Sequence, residues 1–134
     1  MRKVTHINSS KDGKRHLYVD EINAKAILAY INSDERHKKK FRHISEIALE
    51  GLRVPDLYDK EEINSKCKGV TAMKFFKGQE NDRIYCKEIK TNKGIFVIVT
   101  ADILLRKKQT KLTQREKSII ERVAMYEYEI PEFR

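Results

Sequence analysis

The sequence predicts an α+β domain: two N-terminal helices packed on a small antiparallel sheet, followed by a C-terminal helix. Three observations predict it. Apolar residues recur at helical spacing over residues 20–31 and again over 35–51. After Gly69 the pattern turns to short β-rich segments separated by tight turns. Thr113-x-x-Glu116 then opens a last helix as a capping box. With 134 residues, 40% of them hydrophobic, the chain suits one domain with a thin core.

The elements follow in chain order. Asn8 to Lys14 is turn chemistry, and the sequence leaves open whether residues 1–13 are ordered or flexible. Lys14 to Val19 reads as a short strand. From Asp20, a candidate N-cap, Ile22, Ala26, Ile27, Tyr30 and Ile31 fall on one helical face until Asn32-Ser33-Asp34 breaks it. The second helix turns Phe41, Ile44, Ala48 and Leu52 inward, with Gly51 as its stop signal. Residues 53–69 hold Pro55 and an acidic cluster in which Asp59 and Glu62 can cap a helical turn. Val70 to Phe76 is one strand, residues 77–81 its turn, and Arg83 to Lys90 the next strand. Thr91 to Gly94 turns tightly into Ile95 to Thr100, which is apolar on both faces as a central strand is. Loops this short require antiparallel neighbours. Ile119, Ile120, Val123 and Ala124 share one side of the last helix, and residues 125–134 form an acidic tail. No internal repeat divides the chain, so 1–134 reads as a single domain.

Charge is unevenly placed. Lys and Arg number 29 against 20 Asp and Glu, a net +9. The excess lies in residues 1–45, with 11 basic against 5 acidic, and in 70–115, with 11 against 4. This balance favours a polyanionic partner, nucleic acid or an acidic protein. The longest apolar run, Ile95 to Val99, falls far short of the roughly 20 residues of a transmembrane helix. The opening MRKVTHINSS lacks the apolar stretch of a secretory signal. Cys67 and Cys86 stand outside any zinc or redox spacing and read as reduced, buried thiols of a cytoplasmic protein.

No phosphate-binding glycine loop, nucleophile elbow, zinc-protease motif or metal-ligand cluster occurs. His6, His16, His37 and His43 each lie among basic residues, where metal binding is disfavoured, and Glu61 and Glu62 read as solvated surface. The candidates that remain are Lys74, Arg83, Tyr85, Arg106, Lys107, Lys108 and Lys111. They suit one reaction needing neither metal nor cofactor: cleavage of RNA by its own 2′-OH. Cations stabilise the negative phosphorane, and a Tyr or Lys joins in proton transfer. A solvent-facing row of lysines is the plainer reading of the same residues. A second basic block, Arg36 to His43, covers the helix face opposite Phe41 and Ile44. Lys38, Lys39, Lys40 and Arg42 there are either RNA-phosphate contacts or a solvated face.

Four pieces in order carry a resemblance. They are Thr71-Ala72-Met73-Lys74-Phe75, then Asp82-Arg83-Ile84-Tyr85, then the apolar Ile95 to Val99, then Lys107-Lys108-Gln109-Thr110-Lys111-Leu112-Thr113 before a helix. From Gly69 to Val123 the sequence resembles the RelE superfamily of bacterial toxins, in its RelE/HigB type. The resemblance implies a compact α+β toxin of a type II toxin–antitoxin pair that enters the ribosomal A site and cuts mRNA. It implies neutralisation by a small antitoxin, often a helix-turn-helix protein encoded next door. By position, Lys74 stands at the family's strand arginine and Arg83 at its second-strand arginine, with Tyr85 on the same face. Lys107, Lys108 and Lys111 match its basic motif. The sequence departs in two places. Lysine at position 74 loses the bidentate grip on phosphate. The tail has no histidine, which leaves Tyr126 and Tyr128 as candidates for the general acid. Two alternatives stand beside this reading: a non-nuclease member of the RelE/ParE superfamily, and an unrelated basic RNA- or DNA-binding module. The second would use Phe75, Tyr85 and Phe96 to stack bases on an open sheet face.

Overall fold

The computed structural model describes residues 1–76, 81–107 and 113–131, with the backbone alone for Arg106 and Lys107. Two strands come first, β1 (Arg2–Ser9) and β2 (Arg15–Asp20), then helices α1 (Ala24–Ile31) and α2 (Glu35–Leu49). Next come β3 (Tyr58–Lys60), a 3-10 turn at Ser65–Cys67, β4 (Val70–Lys74), β5 (Asn81–Lys90) and β6 (Phe96–Lys107). The described chain closes with α3 (Gln114–Met125) and β7 (Tyr128–Glu129). The seven strands form one sheet in the order β3-β4-β5-β6-β2-β1-β7. Neighbours run antiparallel except β2 beside β6 and β7 beside β1, which are parallel.

This overturns the expectation of two N-terminal helices on a small antiparallel sheet. A hairpin precedes the helices, the sheet is mixed, and helices cover both of its faces. The reasons are physical. In β1, which lies within residues 1–13, the apolar side chains Val4 and Ile7 are partly buried among polar neighbours. Its backbone pairing with β2 makes it a strand, and no apolar alternation announces it. The parallel pair joins residues 15–19 to 96–100, too far apart for turn chemistry to set the register.

Side chains alternate across the central strands, so each strand serves two cores. Leu17, Val19, Ile84, Cys86 and Ile98 meet Ile27, Phe41, Ile44 and Ala48 of α1 and α2. Tyr18, Tyr85, Val97, Val99 and Ala101 meet Ile119, Ile120 and Val123 of α3. Truncating Ile44 or Ile120 to Ala would cost about 2–5 kcal/mol each. Cys67 and Cys86 are both free and buried, in different cores. Burial pushes the Cys86 thiol up, away from the reactive thiolate.

Several local expectations change. Asp20 ends β2 and is not the cap of α1; its carboxylate accepts from the backbone N–H of Ile22 at 2.8 Å and Asn23 at 3.2 Å. Ile22, placed on the inward face by periodicity, is 68% exposed, and Leu52 is 50% exposed beyond the end of α2. Asp59 lies in β3, and Asn64 caps the 3-10 turn by accepting from Lys66 N–H. Helix α2 stops as expected near Gly51, whose φ of +77° only glycine adopts without strain. At Gly69 a Cβ would lie 2.9 Å from the Glu88 carbonyl oxygen, so glycine is what lets β4 start flush against β5.

Candidate functional site

Register sets the site. Along β4 and β5, Ala72 opposes Tyr85 and Lys74 opposes Arg83; along β5 and β6, Arg83 opposes Leu104 and Asn81 opposes Lys107. Tyr85 and Ala72 pack toward α3, and the two-residue alternation carries Arg83 and Lys74 to that same face. The structure thus brings together Lys74, Arg83 and Tyr85, with the backbone of Lys107 close by. The side chains of Arg106 and Lys107, and the whole of Lys108 and Lys111, lie outside what is described.

The three are not equivalent. Tyr85 is fully buried and donates to Glu116 Oε1 at 2.6 Å. Burial first, and Glu116 second, push its phenol far above the usual range. It therefore holds Glu116 in place and keeps its proton. The Arg83 guanidinium donates to Glu61 Oε1 at 2.7 Å and lies 3.6 Å from Glu116 Oε1. Its buried Nε has no hydrogen-bond partner among the described residues. Lys74 Nζ donates to the Pro55 carbonyl at 2.8 Å and lies 3.9 Å from Glu61 Oε1. Two cations face two carboxylates, and their formal charges cancel.

The end of the β4/β5 pair opens into a cleft of about 440 Å³. Arg36, Lys40, Asp56, Leu57, Phe75 and Phe76 line it beside Lys74, Asn81 and Arg83. The basic block of α2 divides by its four-residue spacing. Arg36 and Lys40 reach this cleft. Lys38 and Arg42 instead edge a groove floored by Ile7, Leu28, Ile31 and Phe41, where Lys38 lies 3.4 Å from Glu35. Lys39 is exposed on the face between. Of the candidate stacking residues, Phe75 and Tyr85 are core, and Phe96 is covered by Arg15, 3.9 Å from its ring centre.

The C-terminal tyrosines are elsewhere. Tyr128 is buried and donates to Asp20 Oδ2 at 2.6 Å, while Arg2 lies over the Tyr126 ring. Strand β7 is five strands from β4, about 24 Å at the usual strand spacing. Neither tyrosine reaches the cleft.

Sequence reasoning missed four residues here. The sequence suggests a solvated Glu61, yet its side chain is 13% exposed; Glu62 beside it is exposed. The sequence offers Glu116 as a capping residue. Its N–H does bond to Thr113 Oγ1 at 3.1 Å, and its carboxylate is fully buried against Tyr85 and Arg83. Arg36 and Phe76 form a stack at 3.8 Å that no spacing rule foretells, since they sit 40 positions apart. A signal existed for Glu116 alone: it lies one helical turn from Ile119 and Ile120, on the inward face.

Among the described residues, no three His, Cys, Asp or Glu gather where a metal ion could be held, and no helix is long and apolar enough to cross a membrane. No family model matches the chain, and neither a curated protein nor a solved structure does.

Proposed function

We propose that this chain is a ribosome-dependent endoribonuclease, the toxin of a type II toxin–antitoxin pair, cutting cytoplasmic mRNA without a metal and restrained by a small cognate antitoxin. One observation carries the reading: Lys74 and Arg83 are cross-strand partners at a cleft, beside the strand end that delivers Arg106 and Lys107. The resemblance over residues 69–123 supplies the reaction class. The cleft supplies cations where a phosphodiester would lie.

In this reading Arg36, Lys40 and Lys74 hold phosphate oxygens and fix the strand. Arg83 and Lys74 stabilise the phosphorane. Glu61, hydrogen-bonded to the cleft-lining Arg83, accepts the 2′ proton as the 2′-oxygen bonds to phosphorus; the P–O5′ bond breaks and the 5′-oxygen leaves with a proton from solvent. Tyr85 has no part in proton transfer, because it is buried and committed to Glu116. A second reading, RNA binding without cleavage, is favoured by the pairing of Arg83 with Glu61 and its proximity to Glu116, which weakens its pull on developing charge.

Growth on induced expression, with and without a neighbouring antitoxin gene, tests the toxin reading. Primer extension on a ribosome-bound message tests the chemistry. Wild type should cut; Lys74→Ala should slow cutting by roughly 10²-fold, and Glu61→Gln by about 10²–10⁴-fold. Arg83→Ala is a poorer probe, since it strips the counter-charge from two glutamates and reads folding as well. Ribosome binding with an uncut message selects the second reading; no binding and no cutting sinks both.

A further inference from the structure

We infer that the Arg36–Phe76 stack is a platform for one unpaired RNA base, which makes the cleft a reader of single strands. The inference rests on the RNA-directed reading of this cleft and names what that reading leaves open. Arg36 lies 3.8 Å over the Phe76 ring, at the start of α2 and just past the end of β4. The guanidinium therefore presents a planar, cationic outer surface beside the cleft. Among the described residues no carboxylate lies within ion-pair distance of Arg36, although, after the hydrogen bonds from His37, its charge helps hold the nearby Asp34 carboxyl low and Asp56 lines the same cleft.

The support beneath is built. His37 meets the Phe76 ring edge-on at 5.1 Å, and Asp34 holds His37 Nδ1 at 2.6 Å. Tyr30 packs edge-on against both His37 and Phe75, and its hydroxyl donates to Asp82 at 2.7 Å. Phe76 is thus held among rings, and Arg36 lies over one of its faces. Unpaired bases stack on aromatic rings and on guanidinium planes alike, in a sequence-tolerant way. Lys40 and Lys74 line the same cleft as the stack, where the flanking phosphates of a stacked nucleotide would run. A duplex keeps its bases inside and cannot use such a platform. Single-stranded RNA is the ligand this combination fits.

The test uses the full chain and a short single-stranded RNA carrying one 2-aminopurine, with binding read by anisotropy and stacking by fluorescence quenching. Wild type should bind, and quenching should accompany binding. Phe76→Leu keeps an apolar side chain and removes the ring; it should weaken binding about tenfold and abolish the quenching. Phe76→Tyr should restore both. The same RNA annealed to its complement should bind at least tenfold more weakly than the single strand. Unchanged affinity and quenching in a folded Phe76→Leu overturn the platform and leave the enzyme reading standing. So do equal affinities for duplex and single strand. Quenching absent in wild type that binds RNA overturns it without any variant. Wild type that binds no single-stranded RNA overturns the platform and leaves the ribosome-dependent reading to primer extension.

Discussion

Three tyrosine–carboxylate–arginine clusters lie in the described sheet, one of them Tyr58 and Arg53 on Glu88, and the other two use the same three groups to different ends. Beside β7, the Tyr128 hydroxyl and Arg2 Nε both donate to Asp20 Oδ2, at 2.6 and 2.7 Å. Beside β4, the Tyr85 hydroxyl donates to Glu116, and Arg83 lies 3.6 Å from the same oxygen. In each, a phenol and a guanidinium compensate a carboxylate taken out of water. Asp20 also accepts two backbone N–H groups, so its cluster ties β1, β2, β7 and the start of α1 into one joint. The Arg83 cluster adds a second carboxylate, Glu61, and a second cation, Lys74, and it borders a cleft. A tyrosine–carboxylate–arginine set is thus this fold's way of burying a charge. What sets the second cluster apart is the added pair Glu61 and Lys74 and the cleft that Lys74 and Arg83 line.

The sharpest way to break this comparison is to remove each carboxylate. Asp20→Ala strands a guanidinium, a phenol and two N–H groups, and should cost about 3–5 kcal/mol, a fall in Tm on the order of 10–20 °C. Glu116→Ala leaves Arg83 paired with Glu61 and should cost about 1–3 kcal/mol. If thermal melts rank them the other way, the Arg83 cluster is the more structural of the two. Alkali probes both clusters together. Burial, the largest cause in each case, raises the phenols of Tyr18, Tyr58, Tyr85 and Tyr128 above their ordinary value of 10.0. The folded state therefore holds these protons where the unfolded chain would release them. The stabilisation is complete below pH 10 and is lost as pH rises beyond it. In a spectrophotometric titration those four should ionise only as the protein unfolds; four phenols titrating near pH 10 in a folded protein would contradict their burial.

Smaller effects sharpen the picture. Tyr85→Phe and Tyr128→Phe should each lower stability by about 1 kcal/mol or somewhat more. Tyr85→Phe should leave any mRNA cleavage at the wild-type rate in primer extension, and a large loss would return Tyr85 to the chemistry. Lys38, Lys39 and Lys40 changed together to Ala should reduce the log–log salt slope of RNA binding by about 0.7 if Lys40 alone of the three meets phosphate. A drop near 2 would enlist the whole block.

How much was legible follows from where the information sits. The central strands were readable as β-rich segments between turn residues, as at Thr91 to Gly94, although the strand expected over Ile95 to Thr100 runs on to Lys107. Helix α2 was readable from its period and Gly51, while Asp34, which the sequence offers only as part of the break after the first helix, is its N-cap. Strand β1 was not, because its order comes from backbone pairing across a bulge between His6 and Asn8. Ile22 was misplaced because one apolar residue can continue a helical stripe on paper while the chain is still turning out of β2. At the site, spacing within one strand put Arg83 and Tyr85 on one face. It carried nothing about Glu61 and Glu116, which reach them from a loop and another helix. Exposure of a charge is a property of what packs over it, and Glu61 and Glu62 differ in that while being identical in sequence.

The pairing of β2 with β6 has a consequence for how the chain is born. The β1–β2 hairpin and the two helices can form early, yet the β2 edge stays without its neighbour until residues 96–107 have been made. At a synthesis rate of about 5–20 residues per second, that wait is on the order of ten seconds. The cleft needs β4, β5 and β6 in register, so it is assembled after that interval. Until then the apolar edge at Leu17 to Val19 is uncovered, and it is the segment a chaperone would meet first.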